Sequence, residues 1–132
     1  MRSTVAVMCL LVVTACSAKS PSAPAPVARD VVLAPGQVAT IREAAIAVRF
    51  EGVSGDSRCP ADAFCIQGGD ALVRIAVVPA SGTSQAYTLH TGDMRPVTHG
   101  DLTIALVQLV PYPFSTGPID PADYRATIRV SR

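Results

Sequence analysis

Tyr124-Arg125-Ala126-Thr127-Ile128-Arg129-Val130-Ser131 decides the fold class. Apolar residues take every second position, and Arg, Thr or Ser fills the gaps. Side chains that alternate between two faces belong to a β-strand with one dry face and one wet face. Ile46-Ala47-Val48-Arg49-Phe50-Glu51 alternates in the same way. Leu72 to Val78 and Leu102 to Val110 are apolar on both faces, as central strands tend to be. Gln37 to Ile41 and Ala86 to His90 are shorter candidates, and Val31 to Leu33 fits an edge. Turn formers separate these runs: Pro35-Gly36, Ser81-Gly82, Gly92-Asp93 and His99-Gly100-Asp101. About seven strands then fill residues 30–132, which predicts an all-β chain folded as a single immunoglobulin-like β-sandwich. Ile41 to Val48 conflicts with this pattern. Its apolar spacing also fits a helical turn, and Glu and Ala are poor strand formers.

Composition bounds the function. A chain of 132 residues supports one domain. With 49% hydrophobic residues, 16% charged residues and a net charge of +1, it is not a disordered chain. The near-zero charge also excludes nucleic acid as a partner, because phosphate binding needs a basic excess.

The N-terminus reads as an address. Arg2 precedes the short apolar run Val5 to Val13, which is the pattern of a secretory signal. That run is about half the ~20 residues needed to span a bilayer. Val13-Thr14-Ala15-Cys16 follows, and it resembles the lipobox of bacterial lipoproteins: an aliphatic residue, two small residues and a cysteine. The resemblance implies cleavage after residue 15 and a diacylglyceryl group on Cys16. That covalent lipid is the only non-protein group expected, and the membrane becomes the first partner. Ser17 at the next position, where an Asp would signal inner-membrane retention, tilts the expectation toward the periplasmic face of the outer membrane, with the inner membrane and the cell surface as alternatives. Residues 16–29, rich in Pro, Ala and Ser, read as a disordered tether. At ~3.1 Å per residue it reaches roughly 40 Å. Arg2 leaves with the leader, so acidic and basic residues balance in what remains.

Of four cysteines, Cys9 leaves with the leader and Cys16 takes the lipid, so Cys59 and Cys65 remain. In an oxidising compartment two close cysteines are most simply a disulfide. A redox pair, which usually has two intervening residues, and a metal site are the rival readings.

Asp56-Ser57-Arg58-Cys59-Pro60 and Cys65-Ile66-Gln67-Gly68-Gly69-Asp70-Ala71 resemble a family of small, uncharacterised bacterial lipoproteins. Its members carry D-S-R-C-P, a second cysteine shortly after, and then a Gly leading into a strand. The similarity extends to Pro111-Tyr112-Pro113 and Tyr124-Arg125-Ala126-Thr127, with Gly68 where the family pattern has Ala. It implies the location and the β-rich body, and assigns no activity.

Asp56, Arg58, Asp62 and Asp70 flank the cysteine pair and form a candidate binding loop. Arg58 either meets an anion or partner, or closes the loop through an ion pair and backbone carbonyls. The three Asp could hold Ca²⁺, although no EF-hand spacing is present and Asp is common at turns. His90, Met94 and His99 lie within ten residues, and imidazole with thioether suits copper. A copper-handling envelope protein is therefore the alternative function, and it requires those three side chains to converge on one ion. Tyr112 and Phe114 are either a small binding surface or edge aromatics. No Gly-x-Ser-x-Gly elbow occurs, and Gly52-Val53-Ser54-Gly55 lacks its spacing. Glu51 and Asp56 could serve as acid and base, but Glu51 fits the wet face of its strand. The expectation is a lipid-anchored, non-enzymatic envelope module that binds a protein, a glycan or peptidoglycan, or supports an assembly.

Overall fold

The computed structural model describes residues 22–132. The expected signal sequence at 1–15, the expected lipidation site Cys16 and the expected tether as far as residue 21 lie outside the described residues. Eight strands follow in chain order: β1 (Ala28–Leu33), β2 (Val38–Ile41), β3 (Ile46–Asp56), β4 (Ala71–Pro79), β5 (Gln85–His90), β6 (Val97–His99), β7 (Leu102–Val110) and β8 (Arg125–Ser131). They form two antiparallel four-stranded sheets, ordered β1-β8-β7-β6 and β2-β3-β4-β5, and the expected all-β sandwich stands. The chain changes sheet only twice, after β1 and after β5. An immunoglobulin domain exchanges strands between its sheets more often.

Alternation builds the core. Ile46, Val48 and Phe50 of β3 meet Val73, Ile75 and Val77 of β4 and Leu89 of β5 on one inner face. Leu102, Ile104 and Leu106 of β7 and Ala126, Ile128 and Val130 of β8 supply the other. These residues are buried, while Arg125 and Arg129 of β8 stay exposed, as the two-residue period requires. β7 was expected to be apolar on both faces. A bulge between Leu106 and Gln108 instead shifts its phase, so Val107 and Gln108 face solvent and Leu109 returns to the core.

Three boundaries differ from the sequence reading. β1 begins at Ala28 and Val27 is buried, so the body claims the last residues of the expected tether. β3 runs five residues past Glu51. Irregularities at Phe50/Gly52 and Val53/Gly55 break its alternation and hide its length in the sequence. β6 is three residues long, too short to show a period, and lies within what reads as a connection.

The ambiguous Ile41–Val48 segment contains both expected conformations. Arg42–Ala44 forms one 3-10 turn, Ala45 takes the left-handed conformation at φ 53°, and β3 starts at Ile46. A non-glycine residue there is strained. Ala45→Gly is expected to raise stability by a few tenths to ~1 kcal/mol, read as a higher denaturant midpoint.

The register gives the sandwich two distinct ends. Ala28 pairs with Ser131, which also pairs with Thr103, so the chain enters beside its own C-terminus. Leu33 pairs with Ala126, and Val110 pairs with Arg125, at the other end. The β3–β4 and β7–β8 connections both belong to that far end, where Asp56 pairs with Ala71.

Candidate functional site

The β3–β4 connection holds the residues singled out in the sequence. Cys59 and Cys65 are joined in a disulfide with a Cα–Cα distance of 6.0 Å. The base of the loop is zipped by Ser57, whose backbone N–H donates to Asp70 O at 2.7 Å. Its hydroxyl also donates to that oxygen and accepts from Asp70 N–H. A ring this short constrains the unfolded chain modestly. The Cys59→Ser/Cys65→Ser variant is expected to stay folded and lose about 2 kcal/mol in denaturant titration.

Arg58 is the centre of the arrangement. Its Nε and one terminal nitrogen form a two-pronged contact with Asp56, at 2.9 and 2.7 Å. The guanidinium also donates to Leu109 O at 2.9 Å and Pro111 O at 2.8 Å, and lies 4.9 Å from the ring centre of Tyr112. Four of its five N–H directions are thereby used. The side chain is only 5% exposed, and that of Asp56 10%. Of the two readings of Arg58, the loop-closing one describes this geometry. It ties the stapled loop to the end of β7, across the sandwich.

Asp56 also accepts the Tyr124 hydroxyl at 2.9 Å. Burial pushes the Asp56 carboxyl upward, but Arg58 and Tyr124 outweigh it and hold the group below the ordinary value. Burial, then Asp56, pushes the Tyr124 phenol up to about 12. The signs follow from linkage. Asp56 contributes stability above its unfolded value, and that contribution is lost as acid takes the pH down through the folded value. Tyr124 contributes below about pH 10, and its share is lost as the pH rises toward 12. Phenolate absorbance should therefore show one tyrosine ionising near pH 12. Asp56→Asn should shift that step downward and flatten the acid limb of the stability curve relative to wild type.

The remaining loop carboxylates are also engaged internally. Asp62 accepts from the backbone N–H of Ser115 at 2.8 Å and from its hydroxyl, and those contacts hold it below the ordinary value. Ala61 N–H donates to Pro113 O at 2.9 Å, so the ring is tied to the β7–β8 connection at adjacent points. Asp70 accepts from Gly92 N–H at 2.8 Å and from the Thr91 hydroxyl at 3.2 Å, and it lies 2.6 Å from His90 Nδ1. Burial raises the Asp70 carboxyl, and these three partners together bring it below its usual value. Each of the three Asp is turned to its own partners, and no shared oxygen cage forms among them.

The copper triad is not assembled. His90 and Tyr87 are three residues apart on β5 and so point to opposite faces. His99 goes with Tyr87, its Nδ1 2.9 Å from the Tyr87 hydroxyl and the two rings edge to face. His90 goes with Asp70 on the other side. Met94 sits between them in the chain, exposed and at φ 50°. Strand alternation separates the two imidazoles that nearness in sequence suggested could meet.

Several contributors were not legible beforehand. Tyr124 serves Asp56 across 68 residues of chain. Gly69 is required by close approach, since a Cβ there would lie 1.4 Å from Ser57 O. Phe64 and Ile66, either side of Cys65, are fully exposed, and Tyr112 and Phe114 are more than half exposed. Tyr112 and Phe114 lie exposed where the chain leaves β7, a position common to both of their readings, surface and edge. No family model, no curated protein and no solved structure matches this chain.

Proposed function

We propose that the chain is a membrane-tethered, non-enzymatic binding module of the bacterial cell envelope, anchored through a lipid on Cys16. Its recognition surface is the stapled end of the sandwich. One observation carries this reading: the chain enters the body at Ala28, beside Ser131, and the stapled loop lies at the opposite end. A tether attached at one end turns the other end away from its own membrane. The disulfide supports an oxidising location. The loop's ionisable groups are committed to holding the loop in shape, which favours recognition over proton transfer.

The test is metabolic labelling with an alkyne fatty acid in a bacterial host, followed by membrane fractionation. Wild type should carry label and sediment with membranes, and Cys16→Ala should lose both. An unlabelled, soluble wild-type chain beginning at Met1 would sink the proposal.

A further inference from the structure

Phe64 and Ile66 stand wholly clear of the body, on a ring closed by the disulfide and tied to the β7–β8 connection through Pro113 and Ser115. Tyr112 and Phe114, exposed by 56% and 55%, lie on that same connection. Phe64 and Ile66 pack against nothing, Tyr112 rests partly on Arg58, and large apolar side chains left exposed on tied loops mark an interaction surface.

We propose that this tip is a docking knob for a second protein, one offering an apolar pocket with a basic rim. The proposal rests on the tethered-module reading only for the compartment in which the partner is found. Three observations select that partner. The segments 59–69 and 111–123 expose Asp62, Asp120 and Asp123, and the one exposed cation bordering them in the chain is Arg125, held at 2.8 Å by Ala122 O, so the knob carries a net negative charge. Acidic groups are attracted to basic surfaces and repelled by anionic lipid and by a second copy of the same tip. Among the described residues, no backbone N–H from Phe64 to Gly68 has a hydrogen-bond partner. Hydrocarbon could not satisfy those groups, whereas a protein pocket can. Finally, at ~150–250 Å² for each large side chain, two fully and two half-exposed groups offer roughly 500 Å². That is short of the ~800 Å² per partner of a standard interface, so a partner must wrap around the knob.

The experiment places a benzophenone amino acid at Phe64 in the full-length chain in cells, with Ser81, in a turn at the tether end, as the control position. Position 64 should give one adduct with a distinct protein that position 81 does not give. That protein, purified, should bind the wild-type chain about tenfold or more tightly than Phe64→Ser or Ile66→Ser. Asp62→Lys should weaken binding too, and added salt should weaken the wild-type complex. Thermal midpoints of the two serine variants should match wild type, because neither side chain is packed. Adducts with lipid, with a second copy, or none at all would overturn the proposal, as would a protein adduct whose affinity ignores these substitutions. If Cys16 carries no lipid while the adduct and its sensitivity persist, the tether reading fails and the knob stands.

Discussion

Arg58→Met is expected to lower the thermal midpoint by at least about 12 °C. Removing one member of a buried ion pair typically costs ~3–5 kcal/mol, because the other is left charged and dry. Each kcal/mol corresponds to roughly 4 °C or more in a domain near 100 residues. Here the loss is compounded. Met fills much of the space of the guanidinium stem but supplies no donor. Asp56 would keep only the Tyr124 hydroxyl and the backbone N–H of residue 58, and the Leu109 and Pro111 carbonyls would lose a partner. Arg58→Lys keeps the charge and loses the planar fork, so it should fall between the two. Adding Asp56→Asn to Arg58→Met should recover part of the loss, since the stranded charge is then gone. Scanning calorimetry of the four proteins decides the matter. A midpoint for Arg58→Met within about 4 °C of wild type would mean that the pair contributes little.

Gly69→Ala should disrupt the same end by a different route, with an expected loss on the order of 3 kcal/mol. The methyl would sit 1.4 Å from the carbonyl oxygen of Ser57 and 2.9 Å from Arg58 N. Neither neighbour is the movable end of a side chain. The backbone must shift, and the Ser57–Asp70 bonds that close the loop lie directly in the way. The amides of Ser57 and Asp70 should exchange with solvent faster in the variant. Unchanged protection at both would show that the loop tolerates the methyl. Gly68, one residue earlier, has open space around it and provides the control: Gly68→Ala should cost little.

Gly68 and Gly69 are adjacent and look alike in the sequence. Only the path of Ser57, twelve residues away, makes one of them indispensable. The same holds for the carboxylates. Asp56, Asp62 and Asp70 suggest a common binding loop because they are near each other in the chain, yet they turn to Arg58 and Tyr124, to Ser115, and to His90 with Gly92. His90 and His99 make the same point: closeness along the chain, which the copper alternative needs to become convergence, does not bring them together. Alternation along β5 sets His90 and Tyr87 on opposite faces, and the contact of His99 with Tyr87 then keeps the two imidazoles apart.

The amino-acid order by itself determined the secondary structure class, the seven longer strands, the turns between them and the pairing of two nearby cysteines. These depend on the two-residue period and on short chain separations, which are printed in the sequence. The tertiary structure alone decided which polar side chains of the stapled loop point inward, that Tyr124 would complete the Arg58–Asp56 pair, and that Phe64 and Ile66 would remain outside. Those outcomes depend on where bulges reset the alternation and on how two connections far apart in the chain meet at one end of the sandwich, and no local period encodes either.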